Sequence, residues 1–128
     1  IIEAFDVNHG HVKPAYGYKI TTPDKVIVIS GDTAYSEILA QKAVGADILF
    51  HEVVSEAGLG GRSIFWQNYH NSAHTTSSNL AKLARSAKPA KLVLYHGLHF
   101  GAPEQQVVEE VQAIWDGEVI LANDLDIF

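Results

Sequence analysis

The sequence predicts an α/β domain built on one mixed sheet with helices on one face. Three observations carry this. Short β-branched runs alternate with segments of helical period, the pattern of strand–helix units. The helical segments each show a single apolar face. The runs at 26–29, 48–50 and 92–94 are apolar on both sides, so both faces of the sheet call for cover.

The elements follow in order. Ile1 to Val7 and Tyr16 to Ile20 read as two strands, with His9-Gly10-His11 and Pro14 between them as a hairpin-like connection. Lys25 to Ser30 is a β-branched buried strand that ends at Gly31-Asp32-Thr33. A helix is expected from about Tyr35 to Val44, with Tyr35, Ile38, Leu39 and the stem of Lys42 inward; Gly45 stops it. Asp47 to Phe50 is the next strand, ending in His51-Glu52. Residues 55–73 lack clean periodicity and read as a long loop. Ser and Thr at 75–78 cap a helix over Thr76 to Ala87, with Leu80, Leu83, Ala84 and Ala87 on one face. Lys91 to Tyr95 is a strand ending in His96. Pro103 opens a third helix, which buries Val107, Val108, Val111, Ile114 and Trp115. Glu118 to Leu121 is a last strand, and Leu125 to Phe128 are expected to extend the sheet.

Composition narrows the function classes. The chain has 128 residues, 47% hydrophobic and 19% charged, which fits one small domain with a real core. A net charge of -6 argues against a nucleic-acid surface spread over the chain, because phosphate neutralisation needs clustered Lys and Arg. Cysteine is absent, which excludes disulfides and thiolate ligands and fits a reducing compartment; the expected location is cytoplasmic. No apolar run approaches the ~20 residues of a membrane span. Position 1 is not methionine, so the chain is expected to begin partway through a longer protein. No Gly-x-Ser-x-Gly elbow supports a serine hydrolase. Gly58-Leu59-Gly60-Gly61-Arg62 lacks the Gly-Lys-Ser/Thr of a phosphate-cradling loop.

The polar residues fall where α/β sheets gather their sites, at the carboxyl ends of strands. Asp32, the His51-Glu52 pair and His96 each end a strand, and His74 precedes a helix. Taken singly, Asp32 also suits a helix cap, Glu52 a solvated surface, and each histidine an ordinary hydrogen-bonded position. Together, one or two carboxylates and several imidazoles form a nitrogen–oxygen set suited to zinc or manganese.

Four segments carry a family resemblance. Ser30-Gly31-Asp32-Thr33 is similar to the "SGDT" motif of ribonuclease Z-like and arylsulfatase-like metallo-β-lactamase-fold hydrolases. His51-Glu52-Val53-Val54 resembles their "HEAT" loop, and Ala73-His74-Thr75-Thr76 their "HST" loop. Leu92 to His96 resembles the strand with their last metal-binding histidine. Asn8-His9-Gly10 and Tyr16 to Ile20 resemble the strand pair that opens the second half of these domains.

The resemblance implies half of an αββα sandwich, the C-terminal half of a metallo-β-lactamase domain over residues 1–128. It makes Asp32 the bridging ligand and His96 a terminal ligand of a dinuclear zinc centre, with manganese as the other metal. Glu52 and His74 become a carboxylate–imidazole pair that protonates the leaving group. His51, Thr33 and His9 are further site candidates. The implied substrate is a phosphodiester or related ester, a small molecule or a nucleic acid.

Two departures weaken a tRNA-processing reading: Val53-Val54 replaces the end of "HEAT", and His-Thr-Thr replaces "HST". The His-x-His-x-Asp-His motif of the first half is absent, because His9-Gly10-His11 runs on into Val12-Lys13. With two ligands where three are usual, the chain alone is expected to bind metal weakly and to be inactive. The competing expectation is a non-catalytic half-domain that serves as an oligomeric binding or structural module. In either case the sheet is expected to present Val26, Val28, Ile48 or Leu49, and Val93 or Leu94 to a missing N-terminal half or to a second copy in a homodimer.

Overall fold

The computed structural model describes residues 1–128. Six strands form one sheet in the order of the chain: β1 (Ile2–Asp6), β2 (Tyr16–Thr21), β3 (Val26–Ile29), β4 (Ile48–Val54), β5 (Lys91–Leu98) and β6 (Glu118–Leu121). The first two pairings are antiparallel, and β3 to β6 run parallel. Five helices complete the fold: α1 (Glu37–Lys42), α2 (Glu56–Gly60), α3 (Ile64–Ala73), α4 (Ser77–Ala87) and α5 (Gln106–Gln112). The parallel strands are laid down in one direction. The crossovers between them place α1, α4 and α5 on one face, so the expected one-sided mixed α/β sheet follows from its topology.

The core lies between that face and helices α1, α4 and α5. Val28, Leu49, Leu92 and Leu94 from the sheet meet Leu39, Leu80, Leu83, Val107 and Val111, all with zero exposure. Each such leucine stabilises the fold by about 1.5–3 kcal/mol. Local sequence ends the helices cleanly. Ser36 Oγ accepts from the Leu39 amide at 3.2 Å to start α1, and Thr76 does the same for α4.

Several boundaries differ from the sequence expectation. The α1 helix is shorter and buries Leu39, Ala40 and Ala43, while Ile38 is 51% exposed. The stretch 55–73 forms α2 and α3 rather than a loop. α3 buries only Ala73, so it has no apolar periodicity to read. β4 and β5 run past Glu52 and His96, which places these residues inside strands. Leu125 to Phe128 form no strand; the tail instead sets the Phe128 ring edge-on against Phe50, with centroids 5.5 Å apart.

The face assignment also needs correction. Val26, Val28, Leu49 and Leu94 belong to the helix-packed side. Alternation along the strands therefore gives the other side to Ile27, Ile29, Ile48, Phe50, Val93 and Tyr95. A cleft of about 480 Å³ remains there between Ile29, Phe50, Tyr95, His96 and the segment 122–125.

Candidate active site

The site begins with a forced turn. After β3 the chain doubles back at Gly31, whose φ is +61°. A Cβ there would lie 2.4 Å from the Tyr16 carbonyl oxygen, so glycine is needed for conformation and for space alike. The turn leaves the Asp32 side chain one-third exposed and buries Ser30 and Thr33 completely. Ser30 Oγ accepts from the Glu52 amide at 3.1 Å and donates to the Gly31 carbonyl at 2.6 Å. Tyr95 Oη lies 3.5 Å from that hydroxyl, and burial pushes the phenol pKa up, which keeps it protonated.

Glu52 joins the loops. Its carboxylate is fully buried, and Oε1 accepts from the Thr33 amide at 3.1 Å and the Thr75 amide at 3.0 Å. His74 Nδ1 lies 3.2 Å from the same oxygen. A carboxylate oxygen that already takes two N–H donors is an acceptor for the ring too, so Nδ1 carries a proton and Nε2 is left free. Thr33 completes the link: its hydroxyl accepts from the Asn8 amide, and its carbonyl accepts from the Thr75 hydroxyl at 2.7 Å. Burial opposes charge on His74. The hydrogen bond to Glu52 and the charges of Glu52 and Asp32 outweigh it and hold the imidazole pKa above its ordinary range.

His96 is placed by a β-bulge. Glu52 pairs with Tyr95 and Val53 with Gly97, so His96 has no opposite residue and takes φ +46°. The bulge turns its ring to Asp32, with Nε2 3.4 Å from Oδ2. His9, from the β1–β2 connection, brings Nε2 to 3.9 Å from the same oxygen and meets the His74 ring edge-on at 5.1 Å.

Asp32, Glu52, His74, His96, Thr33 and His9 thus come together. His51 does not. It lies on the helix side of β4, opposite Glu52, because neighbouring strand residues face opposite ways. It is fully buried, Nδ1–H donates to the Glu52 carbonyl at 2.7 Å, and burial pushes its pKa down.

Sequence reasoning missed Glu110. From α5 its carboxylate accepts from Ser55 Oγ (3.0 Å), the amides of Glu56 (3.0 Å) and Ala57 (3.1 Å), and the Ser77 hydroxyl. It ties the starts of α2 and α4 together, and α4 begins directly after the His74 loop. The signal was legible: an acid beside Val107, Val108 and Val111 on the apolar stripe of a short helix demands a partner.

The donor set fits a metal. One ligand atom each from His9, Asp32 and His74 lie within 4.8 Å of one another, and His96 adjoins them through Asp32. Nitrogen and carboxylate donors of this kind suit zinc, and a histidine fixed from behind by a carboxylate is the usual outer support of such a site.

Sequence and structure comparisons bear on the fold. No family model matches the chain. Ribonuclease Z of Anoxybacillus flavithermus is 32% identical over 117 residues, which is 88% of this chain and 35% of that protein. Ribonuclease Z of Haloarcula marismortui is 30% identical over 103 residues, 80% of this chain and 31% of that protein. The chain thus spans about a third of the length of the curated relatives it matches. The metallo-β-lactamase fold protein YhfI from Bacillus subtilis superposes with a TM-score of 0.78 at 22% identity, over 95% of this chain and 46% of its own. The short form of human tRNase Z gives 0.68 at 22% identity, over 99% and 40%.

The chain carries part of a metallo-β-lactamase fold and is ribonuclease Z-like. A zinc-bound structure, PqqB from Methylobacterium extorquens, shares this fold with a TM-score of 0.64 at 17% identity, over 98% of this chain and 50% of its own. Within the metallo-β-lactamase-fold chain, no helix is long and apolar enough to cross a membrane.

Proposed function

We propose that this chain is the C-terminal half of a metal-dependent ester hydrolase, ribonuclease Z-like, acting on a phosphodiester or related ester. The observation that carries the reading is the buried Glu52–His74 pair beside Asp32 and His96. In this reading Asp32 and His96 hold metal, zinc by its donor set, and the first half of the sandwich supplies the other ligands. When bound, the metal supplies Lewis-acid activation of the ester and of water.

The chain's own residues do the rest. Glu52 fixes the ring of His74 and favours its charged form, so that Nε2–H can donate a proton to the leaving oxygen. Thr33 and Thr75 hold the Glu52 carboxylate in place, and Ser30 holds its backbone. The open face of the sheet is covered by the first half of the domain or, when residues 1–128 stand alone, by a second copy of them. The deciding experiment is hydrolysis of bis(4-nitrophenyl) phosphate by the full-length protein and by its Asp32→Ala variant. Metal-dependent turnover lost in the variant supports the reading; turnover without metal, or unchanged in the variant, refutes it.

A further inference from the structure

Helix α3 is built the wrong way round for a structural helix. It turns Ile64 (70% exposed), Phe65 (67%), Trp66 (49%) and Tyr69 (43%) toward solvent. A soluble protein seldom gathers such residues without a use. One side of this helix is ordered with respect to the site. Trp66, His70 and His74 stand four residues apart, on one face of the helical path. The Trp66 and His70 rings stack at 27° with centroids 5.9 Å apart, and His70 follows to His74 at 5.6 Å. The steps match the rise of about 6 Å for four helical residues. The result is a row of rings that runs from solvent to the histidine of the site.

Phe100 and Arg62 close the side of this row. The Phe100 ring lies 4.7 Å from His70, and the Arg62 guanidinium lies over it at 5.3 Å. Arg62 is anchored there by a hydrogen bond to the Phe100 carbonyl at 3.0 Å, which leaves its other N–H groups free. Arg62, Trp66, His70 and Phe100 line a niche of about 190 Å³. That is below the roughly 300–1,000 Å³ of pockets that enclose a whole ligand, so it suits one ring of a larger molecule.

We infer that this niche is a stacking subsite for a planar aromatic ring on the leaving-group side of the ester, with Arg62 facing the ring's anionic neighbours. The inference rests on the hydrolase reading, because His74 marks where the leaving oxygen lies. A nucleobase and a simple aryl group share the required chemistry. Rings of this kind stack on aromatic side chains whatever their edge pattern.

The test is binding of three phosphate monoesters to the zinc-loaded full-length protein, followed by calorimetry and by tryptophan emission: ethyl phosphate, phenyl phosphate and adenosine 5′-monophosphate. The inference expects the ring-bearing esters to bind about ten-fold tighter than ethyl phosphate. Whichever of the two binds more tightly names the source of the ring. Trp66→Leu should cut the preference to below about two-fold and leave ethyl phosphate affinity unchanged, while Trp66→Tyr retains most of it. Phe100→Leu gives a second reading should Trp66→Leu fold poorly.

No ring preference in the natural protein, or a preference untouched by both leucine variants, would overturn the inference. So would tryptophan emission that shifts with protein concentration and not with ring-bearing esters, and loses that shift in Trp66→Leu, because α3 would then be a protein contact. The hydrolase reading is scored separately, by turnover of the natural protein against Asp32→Ala, whereas the ring comparison is read by binding to the natural zinc-loaded protein and its Trp66 and Phe100 variants.

Discussion

His74 and Glu52 form a pair in which one carboxylate oxygen is shared between the imidazole Nδ1, at 3.2 Å, and two backbone amides. Those amides belong to the two loops that flank the site, so the contact that orients the ring also holds the loops together.

Removal of either member should separate chemistry from metal binding. Under the proposed function, His74→Ala and Glu52→Gln in the full-length protein lower kcat for phosphodiester hydrolysis by roughly 10²–10⁴-fold. Metal content by elemental analysis stays near that of the unmodified protein. Loss of metal in His74→Ala would instead make His74 a ligand with His9 and Asp32, the trio whose ligand atoms lie within 4.8 Å.

Asp32 should dominate metal retention, because His96 and His9 both face it. Asp32→Ala is expected to abolish binding in the full-length protein. Residues 1–128 alone should hold zinc weakly, since a closed set of ligands is missing. Equilibrium dialysis against zinc reads both outcomes; tight stoichiometric binding by the 128-residue chain would contradict the second.

The bulge at His96 exchanges stability for position. A non-glycine residue at φ +46° costs on the order of 1 kcal/mol. His96→Gly should therefore match or exceed the natural protein in urea melts of metal-free samples, by up to about 1 kcal/mol, while its affinity for zinc falls. Marked destabilisation would show that the histidine packs more than it strains.

Glu110 predicts an acid-sensitive fold. Burial pushes its carboxyl pKa up, but the hydrogen bonds from Ser77, Ala57, Glu56 and Ser55 outweigh this and hold it below the ordinary glutamate range. A depressed folded pKa means stability that is present above the unfolded value and lost as pH falls through the folded one. Glu110→Gln should cost about 1 kcal/mol at pH 7, the value of a charged hydrogen-bond set discounted for solvent screening, and flatten the stability loss below the ordinary carboxylate range. Denaturant melts at neutral and acid pH compare the two.

The open sheet face predicts association of the isolated segment. Residues 1–128 at micromolar concentration should sediment as a dimer, and Phe50→Asp should return it to a monomer. On that side Ile48 and Val93 are already buried, and Ile27, Ile29, Phe50 and Tyr95 are half-buried and supply the apolar area for the contact. A well-folded monomer of the unmodified segment would refute this.

Much of the fold was legible in the sequence because it is written in local physics. The β-branched runs of β3, β4 and β5, the capping residues Ser36 and Thr76, and the apolar stripe of α4 each act through near neighbours, and their order specifies a one-sided α/β sheet. Asp32, Glu52, His74 and His96 could be singled out because polar residues that follow an apolar run or precede a helix stand out, although Glu52 and His96 lie inside their strands. Tertiary structure decided what depends on contact between distant segments. It set the phase of each strand, which put Val28 and His51 on the helix side and Glu52 on the site side. It made α3 a helix although that helix buries almost nothing of itself. It placed Glu110 across two helix starts 33 to 55 residues away in sequence. The bulge that turns His96 to Asp32 lies in the pairing of β4 with β5, and a register shift between two strands has no trace in either strand alone.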